Sequence, residues 1–306
     1  MLLFIIRRLF SSALVLLSVV TITVLLSFTM KGGPFDREKE PPPHVKKALL
    51  ARYKLDGSTW EKYVSYMRDL LHGDLRVSYR YKDWTVGEVL TQKMPTSIQI
   101  GSVAFVIASL GGVLAGSLAA MRRNGAVDLG VMLWALLAVS IPTFVSGPLL
   151  VYVFGIELRW LPIGGWGSWR HVVLPGVCLA MPFLAYVARL MRNSLLEVLQ
   201  SDFMRTARAK GVGEVQALTM HAMKVAILPV ITYLGPLAAN LLTGSMIVES
   251  VFNISGAGTV FVNSIQNKDY FLLVGAVAIY CVLVIAFNLV VDILYGFLDK
   301  RIKIYG

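Results

Sequence analysis

Residues 201–224 read SDFMRTARAKGVGEVQALTMHAMK and lie between two apolar stretches long enough to cross a bilayer. The segment is basic and partly amphipathic, and Gly211 and Gly213 divide it into two short helical parts. A connection between two membrane spans needs only a few residues, whereas this one runs from Arg189 to Lys224. Its length and charge favour a docking element for a cytoplasmic partner. A basic loop that only fixes the topology is the alternative.

The composition identifies the class of protein. Of the 306 residues, 56% are hydrophobic and 15% are charged, a balance too apolar for an ordinary soluble domain. Uncharged stretches near spanning length occur at 9–30, 97–121, 129–156, 172–188, 225–248 and 271–291. About 20 apolar residues cover a hydrocarbon core of about 30 Å. The sequence therefore predicts an all-α membrane protein with six transmembrane helices.

The net charge of +11 reflects an uneven distribution of basic residues. With the amino terminus placed in the cytoplasm, the inner loops and both termini are rich in Lys and Arg. The two short outer loops carry only Arg159, Arg170 and Lys268. This is the positive-inside pattern, so both termini are predicted to be cytoplasmic. The basic charge does not indicate a nucleic-acid partner.

We divide the chain into three parts. Residues 1–30 form the cytoplasmic amino terminus and the first span, residues 31–95 an outer segment, and residues 96–306 a five-helix core that contains the inner loop 189–224. Apolar residues at helical spacing predict two short amphipathic helices in the outer segment, separated by Asp56-Gly57. A further short helix is predicted at 85–92. In the core, Gly112-xxx-Gly116 predicts a close helix–helix approach.

Catalytic signatures are missing from the sequence. It contains neither a GxxxxGK[ST] phosphate loop nor an HExxH motif, and its four histidines are scattered. We therefore expect no enzyme activity and no cofactor bound by this chain. The ionisable residues that lie nearest to membrane depth are Glu249 and Asp292, and such residues are candidates for a functional role. The alternatives are that Glu249 braces the outer loop and that Asp292 pairs with a cytoplasmic Arg or Lys. The candidate residues of a substrate path are Asn240, Ser245 and Glu249.

Several motifs carry a family resemblance. Gly211 follows Arg205-Thr206-Ala207 at the spacing of the Glu-Ala-Ala … Gly motif of the binding-protein-dependent ABC importer permeases, although the initial glutamate is absent. The form TARAKG at 206–211 resembles the peptide-transporter branch of that family. So do His72-Gly73-Asp74-Leu75 in the outer segment, Gly244-Ser245-x-x-Val248-Glu249-x-x-Phe252, and Lys268-Asp269-Tyr270. Over nearly its whole length the chain resembles the B-type permease subunits of oligopeptide importers.

The resemblance implies a type I ABC importer permease fold in the bacterial inner membrane. It implies a homologous second permease subunit, with the substrate path between the two, and an extracytoplasmic peptide-binding protein. Two ATP-binding subunits or domains would hold ATP and Mg. The segment that couples to them would comprise Arg205, Thr206, Ala207, Arg208, Ala209, Lys210 and Gly211. Dipeptide, nickel and glutathione importers share this architecture.

Two further predictions concern the coupling segment. Gly211 permits a sharp turn with positive φ that would hold a docking helix across the axes of the membrane helices. Arg205, Arg208 and Lys210 would pair with acidic groups of the partner.

Two other classes of protein are the alternatives to an ABC importer permease: an ion-coupled secondary transporter that acts alone, or a membrane scaffold that transports nothing. Neither needs ATPase subunits, so copurification of such subunits separates these classes.

Overall fold

The computed structural model describes residues 2–29, 42–81 and 83–298. The described part is helical, with one isolated antiparallel bridge between Val77 and Thr85. The helices are α1 (Leu2–Thr29), α2 (Pro43–Arg52), α3 (Thr59–Leu71), α4 (Val86–Met121), α5 (Ala126–Ser140), α6 (Thr143–Glu157), α7 (Arg170–Leu199), α8 (Asp202–Ala209), α9 (Glu214–Ala226), α10 (Leu228–Leu242), α11 (Met246–Val251), α12 (Ala257–Gln266) and α13 (Tyr270–Leu298). The proline-rich residues 31–41, the C-terminal basic residues 300–303 and the side chain of Asp292 lie outside this description.

Membrane-spanning helices account for most of the described chain. Four helices, namely α1, α4, α7 and α13, are long and apolar enough to cross a bilayer, and each of two bent pairs, α5–α6 and α9–α10, adds a span if it crosses as one unit. The upper count agrees with the six spans predicted from the sequence. The predicted third and fifth spans correspond to these two bent pairs.

Both bends lie beside prolines, and a glycine ends the fifth span. The third span bends by 108° between α5 and α6, where Ile141 takes extended angles ahead of Pro142, as the residue before a proline tends to do. The fifth bends by 48° at Ile227, close to Pro229. It also ends early, at Leu242, because Gly244 adopts a φ of +92°. Residues 246–251 therefore form a separate helix rather than the end of the span.

The outer segment follows the predicted pattern in its first two helices and departs from it in the third. Helices α2 and α3 confirm the two amphipathic helices, and Ser58 and Glu61 form a capping box at the start of α3. The separate short helix predicted at 85–92 is wrong. Helix α4 begins at Val86, directly after a second capping box between Thr85 and Glu88. The helix continues through Pro95 to Met121.

The chain divides into two compact units, of which the first comprises Met1–Thr96 and Ser255–Ile285. Its core contains Tyr66 and Phe271, which are 0% and 1% exposed and stack at a centroid distance of 5.5 Å. The Arg76 guanidinium lies over both rings and donates to Asp69 at 2.8 Å. Burial alone would raise the pKa of Asp69, but hydrogen bonds and charge from Arg76 and Lys54 hold that pKa below its usual value.

Asp269 joins two distant parts of this first unit. Its carboxylate is fully buried and accepts hydrogen bonds from the Ser78 hydroxyl at 2.5 Å and from the backbone N–H groups of Tyr79 and Arg80 at 3.1 Å. It also accepts from the Leu272 N–H at 3.2 Å and so caps α13. One acidic side chain therefore fixes the end of the outer segment to the first turn of α13.

The second unit comprises Ser97–Ile254 and Ala286–Gly306, and α7 is its central helix. Helix α7 packs against α4, α5, α6 and α10. A Cβ atom on Gly112 would lie 2.6 Å from Cβ of Val187, and one on Gly116 would overlap the carbonyl oxygen of Ala188. The close approach predicted from Gly112-xxx-Gly116 is confirmed, and α7 is the helix that it admits.

Candidate functional site

Helix α8 is held on the protein by one apolar face. Met204 and Ala207, three residues apart and therefore on the same side of the helix, are 0% and 8% exposed. Met204 belongs to the same hydrophobic cluster as Leu195 of α7 and Ala217 of α9. The opposite side of α8 carries the exposed residues Asp202, Arg205 and Thr206, and Phe203 on its flank keeps 44% of its surface exposed. A partner can therefore reach one side of this helix while the other anchors it.

The end of α8 is built around Gly211. Its φ is +81°, which confirms the positive φ predicted from the sequence. The Gly211 N–H donates to the Arg208 carbonyl at 2.9 Å, and the Val212 N–H donates to the Ala207 carbonyl at 3.2 Å. This pair of bonds is the Schellman motif, which satisfies the last carbonyls of a helix with a glycine in the left-handed conformation. The direction in which the chain leaves α8 thus depends on this residue.

The basic residues of the segment have acidic neighbours within the chain itself. Arg208 Nε lies 2.9 Å from Glu214 Oε1, which ties α8 to the start of α9, and Arg205 Nη1 lies 3.3 Å from Asp202 Oδ1. Lys210 is exposed. Exposed ion pairs contribute about 0–1 kcal/mol. An acidic partner surface would exchange these contacts at little cost, so they do not prevent the arginines from binding one.

The predicted substrate-path residues lie in three different settings. Asn240 is exposed on α10, two residues before its end. Ser245 is the N-cap of α11, where its hydroxyl accepts from the Val248 N–H at 3.4 Å. Glu249 is 1% exposed on α11 and accepts a 2.6 Å hydrogen bond from Ser97 of α4. The predicted fifth span, 225–248, ends at Leu242 in the structure, so Glu249 lies on a helix that is separate from α10. A role for these residues in a path stays a prediction.

A buried ion pair is the feature that sequence reasoning missed. Asp128 of α5 is paired in a bidentate manner with Arg192 of α7, at 2.5 Å from Nε and 2.7 Å from Nη2. Asp128 also accepts from the Asn124 N–H at 2.9 Å. Its side chain is 5% exposed and that of Arg192 is 20% exposed. The pair fixes the α4–α5 loop and the start of α5 to α7, about 10 Å along the helix from its end.

The sequence contains a weak signal for this pair. Asp128 immediately precedes the apolar stretch 129–156, so it reads as a residue at the membrane boundary rather than inside it. Its partner is 64 residues away. Among the side chains that the structure describes, no group of three or more His, Cys, Asp or Glu residues is arranged to hold a metal ion.

Comparison with known proteins extends this description. Residues 112–304 match the family described as binding-protein-dependent transport system inner membrane component. The chain is 41% identical over 305 residues to the oligopeptide transport system permease protein OppB of Haemophilus influenzae, covering 99% of this chain and 100% of that one. The OppB protein of Salmonella typhimurium is also 41% identical with the same coverage. The dipeptide transport system permease protein DppB of Bacillus subtilis is 38% identical, covering 99% and 98%.

A solved structure gives the same fold. The crystal structure of an amino acid ABC transporter with histidines matches with a TM-score of 0.53, at 18% identity, and covers 76% of this chain and 98% of that one. At this identity the likeness concerns the fold alone. It identifies the helix arrangement as the type I ABC importer permease fold.

The candidate spans, the family match and the fold match together define a polytopic α-helical membrane protein of the ABC importer permease class. The chain belongs to the family of binding-protein-dependent transport system inner membrane components.

Proposed function

We propose that this chain is a permease subunit of an ABC importer for oligopeptides. The observation that carries the proposal is the 41% identity to oligopeptide permeases over essentially the full length of both chains. The similarity to a dipeptide permease makes dipeptides the second candidate substrate. An ion-coupled transporter that acts alone finds no support, because the family description makes transport depend on a binding protein.

The partners follow from this proposal. A homologous second permease would complete the path, and an extracytoplasmic binding protein would deliver the peptide. ATP and Mg would bind to two ATP-binding subunits or domains, and this chain would not hydrolyse ATP itself. The protein would lie in the bacterial inner membrane with both termini in the cytoplasm.

The exposed side of α8 is the surface we assign to the ATP-binding partner. Three features support this assignment: the burial of Met204, the outward position of Arg205 and Thr206, and the turn at Gly211 that fixes the direction of α8. A rigid, exposed helix held on an apolar cluster transmits a displacement to α7 and α9, because Met204 contacts the same cluster as residues of both helices.

The test of this function is transport by a purified complex. We expect the chain to copurify with a second permease and ATP-binding subunits, and the reconstituted complex to hydrolyse ATP faster when the binding protein and a peptide are added. Competition between a labelled pentapeptide and an unlabelled dipeptide identifies the preferred length. Peptide uptake driven by an ion gradient, without ATP-binding subunits, would contradict the proposal.

Cysteine labelling checks the orientation. In a background with Cys178→Ala and Cys281→Ala, we expect a membrane-impermeant maleimide to label Lys47→Cys in spheroplasts and to reach Gly213→Cys only after permeabilisation. Both positions are exposed, so accessibility depends on the side of the membrane and not on burial. Labelling of Gly213→Cys alone in sealed spheroplasts would reverse the topology and remove α8 from the reach of a cytoplasmic ATPase.

A further inference from the structure

Helix α3 carries an apolar edge that the described chain leaves largely exposed. Trp60, Val64 and Leu71 are spaced by four and seven residues, so they lie along one side of the helix. They are 67%, 38% and 83% exposed. The adjoining side of α3 packs into the core of the first unit through Tyr63, Met67 and Leu70. Arg68 borders this edge, four residues after Val64, whereas Lys62 and Asp69 lie on the opposite side of the helix.

The position of α3 along α1 shows what this edge meets. The two helices pack against each other, and the Tyr63 hydroxyl lies 3.1 Å from the Thr21 hydroxyl. Val20 and Val24 of α1 are 2% and 0% exposed and belong to the cluster that contains Tyr66 of α3. The contact therefore lies beside the span and not above its end.

Helix geometry converts this contact into a depth. Thr21 lies eight residues before the end of α1, about 12 Å at 1.5 Å per residue, and thirteen residues after Arg8, about 20 Å. A hydrocarbon core of about 30 Å that begins near the Arg7-Arg8 pair extends beyond Thr21 toward the carboxyl end of α1. At the same level, Ile22 and Leu26 of α1 are 56% and 62% exposed and form a lipid-facing surface.

We propose that α3 is an interfacial helix whose edge of Trp60, Val64 and Leu71 is immersed in the lipid leaflet at the carboxyl end of α1. Interfacial helices bury their apolar face about 5–10 Å into the headgroup and acyl boundary, and tryptophan favours this region. The charged side of α3 reaches the headgroups. A soluble protein would have to enter the bilayer to cover the same edge, so we assign the edge to lipid rather than to a soluble partner. The outer segment is thereby anchored to the membrane independently of the transported substrate.

Spin labelling of the complete complex in liposomes tests this inference. In the background lacking Cys178 and Cys281, a nitroxide is attached to Trp60→Cys, Val64→Cys or Leu71→Cys, with Lys62→Cys as the control on the opposite side of the same helix. The measurement is the collision rate with oxygen, which partitions into lipid, relative to that with a water-soluble nickel complex. We expect this ratio to be several-fold higher at the three apolar positions than at position 62.

Two outcomes would overturn the inference. Equal ratios at all four positions would show that the edge is exposed to water. A fall in nickel access that occurs only after addition of the peptide-binding protein would assign the edge to that protein instead of lipid. The measurement includes no transport readout, so its result is independent of whether the substrate is an oligopeptide. Val64→Cys is the mildest of the changes and guards against misfolding of the tryptophan variant.

Discussion

Replacing Gly211 with valine should remove most peptide-stimulated ATP hydrolysis while membrane insertion stays normal. Gly211 has a φ of +81°, where a β-branched residue is an outlier. Holding valine there costs about 1–3 kcal/mol. The chain relieves this strain by opening the turn, which breaks the two hydrogen bonds that end α8 and changes the direction of the exposed helix. A penalty of this size corresponds to roughly five- to 150-fold in a conformational equilibrium.

Gly213→Val is the matched control. Gly213 is two residues away and exposed, but its backbone angles of −61° and 148° suit valine, and a Cβ atom there meets nothing within 4 Å. We expect this variant to keep stimulation close to the wild-type level. We also expect subunit recovery to stay close to the wild-type level in both variants, because the spans are unchanged. Wild-type stimulation in Gly211→Val would show that the segment is only a topogenic loop and would refute its proposed role in coupling.

Loss of the Asp128–Arg192 pair should markedly destabilise the second unit. Asp128→Asn leaves the Arg192 guanidinium without its countercharge in a site where the carboxylate is 5% exposed. Removing one member of a buried pair costs about 3–5 kcal/mol, and the 20% exposure of Arg192 places the expected loss at the lower end, about 3 kcal/mol. The measurement is the thermal unfolding of the purified complex and the yield of assembled complex.

An exposed pair provides the comparison. Asp202→Asn breaks the contact between Asp202 and Arg205, whose side chains are 95% and 73% exposed, and should change stability by about 1 kcal/mol or less. The double variant Asp128→Leu with Arg192→Leu removes both charges and should recover much of the loss. Equal effects of Asp128→Asn and Asp202→Asn would mean that the buried pair does not hold α5 to α7.

The two predicted sites differ in how well local patterns describe them. The turn after α8 was predictable, because a left-handed glycine and two short-range hydrogen bonds involve only residues 207–212. The setting of Glu249 was not, since its position depends on the break at Gly244 and on Ser97, 152 residues away. Likewise the proline at position 142 was visible in the sequence. The 108° bend beside it depends on packing, because Pro95 is accommodated within a continuous helix.

The sequence by itself determined the membrane spans, the amphipathic helices of the outer segment and the glycine turn, because each arises from hydrophobicity or backbone conformation within a few neighbouring residues. Tertiary structure alone decided which spans bend, that Gly112 and Gly116 admit α7, that Asp128 pairs with Arg192, and that α3 lies beside α1. These features depend on the space and the hydrogen-bonding groups that distant segments bring together, and no local pattern of residues contains that information.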